Sequence, residues 1–248
     1  MTSATVVGVA GGSGGVGVST FAAALAVRAT AAGRRAVAVD ADPRGGGWDV
    51  TFGLECEPGL RWHDLRDLRG AVVVDDLVRQ LPQARGVPVL SFGRLLAPAP
   101  PPPVLDAVAE ALHASGPLVV VDLGRADGPV ADAFRARADA IVLVVGNGVH
   151  DLAAGQLAAE RLAVRATAGW LVVRCARRSG GWDSDEGLAM LAEALDLPLV
   201  GAFGDDVAVE TDLLHGIPPG ERERCALTRT ADQVLAQLSV DGRLPEAS

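Results

Sequence analysis

The chain has 248 residues, 49% hydrophobic and 21% charged, with a formal net charge of -9. That length holds one large α/β domain with a well-buried core. The acidic balance, without a basic run or stripe, argues against a nucleic-acid surface, so direct DNA binding is disfavoured.

Apolar strand-like runs alternate with helical patterns along the sequence. Val6–Ala10 reads as a strand and leads into a glycine-rich loop, Gly-Gly-Ser-Gly-Gly-Val-Gly-Val-Ser-Thr over Gly11–Thr20. Ser19–Ala32 is a helix rich in Ala and Leu, stopped by Gly33. Ala36–Val39 is a strand ending at Asp40. Val72–Leu81 is a helix with Leu77 and Leu81 on one face, and Pro88–Phe92 a short strand. Ala97–Pro103 is a stiff, polyproline-like loop that precedes a helix over Val104–Ala114. Leu118–Val121 is a strand ending at Asp122. A helix (Pro129–Ala136), a strand (Ala140–Val145), a helix (Asp151–Ala163) and a strand (Trp170–Val173) follow. Asp185–Leu195 is a helix with Leu188, Leu191, Ala192 and Leu195 on one face. Leu199–Ala202 is the last strand, and Val207–Leu214 and Leu227–Leu238 are closing helices. The tail over 240–248 is expected to be flexible.

The strands are near-continuous Val/Ala/Leu runs, the pattern of strands buried on both faces. Alternating βα units of this kind predict a single α/β domain over 1–248. Its sheet is mostly parallel with helices on both faces, and ligands bind at the strands' carboxyl ends. Cys56, Cys175 and Cys225 are scattered, as are the four histidines, which fits reduced thiols and offers no metal-ligand spacing. The first residues lack a basic signal region, and no apolar run reaches a membrane span, so the expected location is cytoplasmic.

The loop carries the chemistry. A glycine run between strand and helix presents backbone N–H groups to an anion, and the helix dipole adds to them. The frame Gly12-x-x-x-x-Gly17-Val18-Ser19 fits the phosphate loop G-x-x-x-x-G-K-[ST] except at the lysine. All 22 basic residues are Arg and the chain has no Lys. A high-GC coding bias accounts for Arg in place of Lys but not for Val18. Gly12, Ser13, Gly14, Gly15, Val16, Gly17, Val18, Ser19 and Thr20 are the candidate nucleotide-binding residues. Gly12–Gly17 also spells G-x-G-x-x-G, and Asp40 follows where a dinucleotide fold places its ribose acid. Three features favour a triphosphatase. Ser19-Thr20 offers a hydroxyl to Mg²⁺, Asp40-Ala41-Asp42-Pro43 places two carboxylates at a strand end, and Asp122 ends an apolar strand. Ser19, Asp40 and Asp122 are the candidate Mg²⁺ ligands, and Asp42 the residue that orients an attacking water.

Ser13–Thr20 resembles the deviant Walker A loop of the ParA/MinD family, K-G-G-x-G-K-[ST]-[ST]. Asp40–Pro43 resembles that family's switch I, Asp122-Leu123-Gly124 its switch II, and Gly204–Val209 its late adenine-side loop, with Gly204 in place of the usual proline. The resemblance spans nearly the whole chain. It is nearer to the actinobacterial CpaE-like or TadZ-like branch, found beside type IV secretion and Flp pilus genes and in some members described as septum-site determining. That branch shows lysine-free loops, then D-A-D-P-x-G-G-G and E-P-G-L-R-W, here Asp40–Gly47 and Glu57–Trp62.

The resemblance implies a P-loop fold that takes ATP and Mg²⁺. Ser13 stands where the family's signature lysine reaches across an ATP-sandwiched dimer, and Val18 where a lysine neutralises the transferring phosphate. Losing both removes transition-state stabilisation on the order of several kcal/mol. Arg44, Arg125 and Arg174 lie near strand carboxyl ends as possible substitutes, though each is expected to be an ordinary solvated arginine. The implied function is a degenerate ATPase with weak or absent hydrolysis. It would serve as a positioning or assembly factor for a Flp (Tad) pilus, a type II–IV secretion system or a septum site. Its partners are proteins of that apparatus, and a homodimer is allowed. Two alternatives stay open: an active Mg-ATPase with a relocated Arg, and an NAD(P)-binding Rossmann-type enzyme. The latter would have no Tyr or Lys for a Tyr-Lys pair. The closing helix carries only Arg229 as a positive charge, so direct membrane binding is disfavoured and recruitment by a partner is expected. CpaE-type relatives often carry an N-terminal receiver-like domain. The chain opens on its first strand, so none is expected.

Overall fold

A computed structural model of the chain describes residues 4–43, 47–93, 98–114, 117–125, 127–163, 168–176 and 182–244. Arg44, Gly45, Gly46, Ala97 and residues 245–248 lie outside these. The strands are β1 (Val6–Gly11), β2 (Ala36–Asp40), β3 (Gln83–Ala84), β4 (Val87–Leu90), β5 (Leu118–Gly124), β6 (Ala140–Gly146), β7 (Gly169–Cys175) and β8 (Leu199–Gly204). The helices are α1 (Val18–Ala31), α2 (Trp48–Thr51), α3 (Val74–Gln80), α4 (Pro102–Ala114), α5 (Pro129–Arg135), α6 (Val149–Ala163), α7 (Asp185–Leu195), α8 (Val207–Leu214) and α9 (Ala226–Val240).

Strands rich in Val, Ala and Leu must be covered on both faces, and the central ones are. The eight strands form one sheet in the order β3-β4-β2-β5-β1-β6-β7-β8. Every neighbouring pair is parallel except β3–β4. One face packs against α1 and α9, the other against α4, α5 and α7. Small side chains let α1 lie close to the sheet, with Ala22, Ala23, Ala24 and Ala26 fully buried. Arg28 clamps α1 to α9 through two bonds to the Asp232 carboxylate, at 2.8 and 3.0 Å.

The register places the two strand-end aspartates. Asp40 and Asp122 are direct partners on β2 and β5. Ala38 and Val120, two residues earlier, face α1. Side chains alternate along a strand, so both carboxylates also point to the α1 side.

The structure adjusts several boundaries. Pro102 and Pro103 open α4 rather than ending a loop, since proline's fixed φ suits a first helical turn. β3 and β4 form a hairpin that the sequence reading does not contain. Its two turn residues, Arg85 and Gly86, both have positive φ (52° and 75°), as a tight type I′ turn requires. β7 and β8 run on to Cys175 and Gly204, which brings Arg174 to the carboxyl edge of the sheet. Residues 241–244, expected in a flexible tail, are tied down. Arg243 donates to the Asp139 carbonyl at 2.7 Å, its own carbonyl accepts from the Thr5 hydroxyl, and Leu244 is buried.

Candidate nucleotide-binding site

The glycine loop leaves β1 and enters α1 at the sheet's carboxyl edge. Gly15 and Gly17 adopt left-handed φ values of 78° and 84°, which an L side chain resists. Gly17 caps α1 without any side-chain bond, so the first amides of the helix stay open to an anion. Among the described residues, no atom beyond the adjoining residues lies within 4 Å of where a Cβ would stand on Gly14 or Gly15, so the crest of the loop is open. Its base is fixed. Gly12 donates to the Val144 carbonyl at 3.2 Å, and its Cα lies so close to α6 that an added Cβ would meet Gly155 Cα at 2.8 Å. The Ser13 hydroxyl donates to Asp151 Oδ1 at 2.6 Å, tying the loop to the start of α6.

Val18 is buried in the same core cluster as Val16. Its Cγ2 would stand 2.6 Å from a Cβ on Gly11, so the isopropyl group packs back across the loop. Where a phosphate loop extends an ammonium, this loop has an apolar plug.

Below the loop sit the carboxylates. Asp40 is 3% exposed and Asp122 is 1%. Burial, then the neighbouring Asp122 charge, holds Asp40 well above the usual carboxylate range. The backbone N–H groups of Asp42 (3.0 Å) and Trp48 (3.2 Å) only partly offset this. Burial likewise pushes Asp122 up to about 6, opposed by the nearby Ser19 hydroxyl and by the Gly124 N–H donating at 2.9 Å. Neither aspartate forms an ion pair among the described residues. The carboxylate of Asp42 lies against Gly124, so the ends of β2 and β5 meet there. The Trp48 indole N–H is also buried, on the Asp122 side of the site, where it helps to lower that carboxyl's pKa. Two buried, uncompensated carboxylates and a hydroxyl suit a hard divalent cation whose other ligands are waters and phosphate oxygens. No group of three or more His, Cys, Asp or Glu among the described residues could hold a metal by itself.

Two features of the site were not legible in the motifs. The Trp62 indole donates to the Asp40 carbonyl at 2.8 Å, so one residue of the Glu57–Trp62 segment sets the end of β2. Arg61, also buried, donates to the carbonyls of Leu54, Gly59 and Glu57 and fixes the preceding turn. The second is Arg174, which does not behave as a solvated arginine. Its guanidinium donates to Asp205 Oδ1 at 3.1 and 2.6 Å and to the Gly15 carbonyl.

A cavity of about 90 Å³ adjoins the loop, lined by Gly17, Thr20, Arg174, Phe203, Asp206 and Val209 among others. Phe203 stacks on Phe21 of α1, centroids 5.6 Å apart, and forms an apolar wall. Asp206 caps α8 by accepting from the Ala208 N–H at 2.9 Å. The late loop Gly204–Val209 therefore does face the glycine loop. Arg125 lies elsewhere, in a cavity of about 150 Å³ with Gly11, Gly12, Arg135, Leu157 and Arg161.

The dinucleotide alternative meets two obstacles. In that fold the first two strands are neighbours, whereas here β5 separates β1 from β2. Asp40 is also buried beside Asp122, a second carboxylate that suits a cation better than a ribose hydroxyl.

No protein-family model matches the chain. It is 37% identical over 234 residues to an uncharacterized protein of Mycobacterium tuberculosis, covering 94% of this chain and 63% of that one. The chain thus spans less than two thirds of that relative's length. Its backbone is similar to the septum site-determining protein MinD of Pyrococcus horikoshii, solved with Mg-ADP. The TM-score is 0.76 at 19% identity over 96% of this chain and 98% of that one. It is also similar to a ParA family ATPase of Chlorobium tepidum, with a TM-score of 0.74 at 14% identity over 94% and 98%. The fold is that of the ParA/MinD P-loop ATPases.

Proposed function

We propose that the chain is a ParA/MinD-like positioning factor of the CpaE-like or TadZ-like branch, built on a P-loop that binds nucleotide and hydrolyses it slowly or not at all. Gly12–Thr20 would hold the phosphates through backbone amides. Ser19, Asp40 and Asp122 would hold Mg²⁺, which neutralises phosphate charge when bound, and Asp42 would orient water. The observation that carries this reading is the pairing of an open loop crest at Gly14–Gly15 with the plug at Val18. The cradle and the metal carboxylates are kept, while the charge that drives phosphoryl transfer is missing from its usual place.

Work of this kind is done by binding. The septum-site and ParA neighbours support a role in positioning, and the lysine-free loop with the Asp40–Gly47 and Glu57–Trp62 motifs supports a pilus, secretion or septum apparatus as its setting. No described helix is long and apolar enough to cross a membrane, and recruitment in this reading is by a protein partner. Calorimetry with ATP, ADP and NAD, beside a phosphate-release assay, tests the proposal. ATP or ADP should bind with little turnover. Turnover at the rate of lysine-bearing relatives, abolished by Asp42→Ala, would instead mark a working ATPase. Tight NAD binding would overturn the proposal altogether.

A further inference from the structure

We infer that Arg174 supplies the positive charge that the loop's own sequence lacks, delivered from the end of β7 and aimed by Asp205. The inference rests on the nucleotide reading above and names the residue that would complete the phosphate cradle.

Among the described arginines, Arg174 is the one with a hydrogen bond to the glycine loop, through Nη1 to the Gly15 carbonyl. Its stem crosses Gly17, with Cδ 3.7 Å from where a Cβ would stand. Nε and Nη2 both donate to Asp205 Oδ1, at 3.1 and 2.6 Å. The two side chains are 28% and 29% exposed, so the pair is screened but reachable from solvent. Both line the cavity that also touches Gly17 and Thr20.

This arrangement leaves one arm of the fork on the loop. Asp205 fixes the plane of the guanidinium with two donors and so acts as a positioning residue. Nη1 meanwhile rests on a neutral carbonyl at the loop crest. A phosphate oxygen arriving on the Gly14–Gly17 amides would be a charged acceptor within reach of the same nitrogen. Charge-assisted bonds of this kind are shorter and roughly twice as strong as neutral ones, so the exchange favours phosphate. Arginine suits the task because its planar fork serves two acceptors at once, which an ammonium point charge does less well. The ligand class is a nucleoside di- or triphosphate, its phosphates on the loop and its base toward Phe203 and Val209. Arg125 is a poorer candidate, since it lines a different cavity, with Gly11 and Gly12.

Calorimetry on the full chain with ATP, ADP and adenosine tests this, using Arg174→Ala, Arg174→Lys and Asp205→Asn. Arg174→Ala should weaken ATP and ADP by about tenfold or more and leave adenosine within about twofold. Arg174→Lys should recover part of the loss, and Asp205→Asn should cost less than Arg174→Ala. Wild-type affinity for ATP should also fall more steeply with salt than that of Arg174→Ala. Unchanged or tighter ATP binding by Arg174→Ala would refute the role, the second result marking the arginine as a bar across the loop. Equal loss of adenosine would also refute it, by showing a packing role in the cavity. If the wild type binds none of the three, the nucleotide reading itself fails. If it binds and Arg174→Ala binds equally well, only the role of Arg174 fails.

Discussion

Val18 sets what the loop can do with a phosphate. Its isopropyl group is packed against Gly11 and Val16, so the loop is stable without a ligand and has no ammonium of its own. Val18→Lys would trade that packing for a charge at the mouth of the cradle. Stability should fall on the order of 1–3 kcal/mol, while Mg-ATP affinity and phosphate release both rise. A Val18→Lys protein with wild-type turnover would show that the missing lysine is not what limits hydrolysis. Asp122 is the complementary case. Its carboxyl titrates near 3.8 when unfolded and at about 6 in the fold. Between those values the folded protein keeps a proton that the unfolded chain has lost, so stability falls as pH rises from about 4 to about 6. Asp40 acts in the same direction. Bound Mg²⁺ competes with the proton, so the stabilisation by Mg-ATP should grow across that window. Urea midpoints at pH 5 and 7.5, with and without Mg-ATP, measure both trends. Asp122→Asn should be more stable than wild type at pH 7.5, by an amount on the order of 1–3 kcal/mol, and should lose the Mg-dependent gain. Lower stability of Asp122→Asn at pH 7.5 would contradict the assigned burial cost.

The elements matter through their ends. β2 stops at Asp40 because Trp62 and Trp48 hold it there, one by an indole bond to its carbonyl and one by a backbone N–H to its carboxylate. Trp62→Phe keeps a ring against Phe92 and Phe134 but removes the donor. Chemical denaturation should show a loss of about 1–2 kcal/mol, the cost of leaving the Asp40 carbonyl unpaired in a buried site. No measurable loss would mean that water reaches this carbonyl. Much of this level was legible in the sequence. The Val/Ala/Leu runs announced buried parallel strands, and Asp40 and Asp122 were placed at strand ends because apolar runs stop at them. The two-residue strand β3 was not legible, since its turn uses Arg85 where Asn is the usual signal. Nor was the start of α4, because a proline run reads as a loop until its last members are seen to open a helix. Ser13 to Asp151, Trp62 to Asp40 and Arg174 to Asp205 are partners far apart in the chain, and periodicity carries no information about such pairs.

The whole molecule is a ParA/MinD-type fold with β5 inserted between β1 and β2, which gathers the glycine loop and both buried aspartates on the α1 side of one edge. Ser13 is short and bonded to Asp151 of its own chain, so it cannot do what a long lysine does across a pair of copies. Sedimentation should therefore be unchanged by Mg-ATP, and a dimer that forms only with nucleotide would contradict this. The most direct measurement is a crystal structure of the full chain grown with Mg-ATP. Anion binding on the loop's backbone amides predicts phosphates at Gly14–Gly17, Mg²⁺ beside Ser19, Asp40 and Asp122, and the Val18 side chain still packed on Gly11. A loop free of phosphate at saturating Mg-ATP, or a nucleotide seated away from those amides, would contradict it.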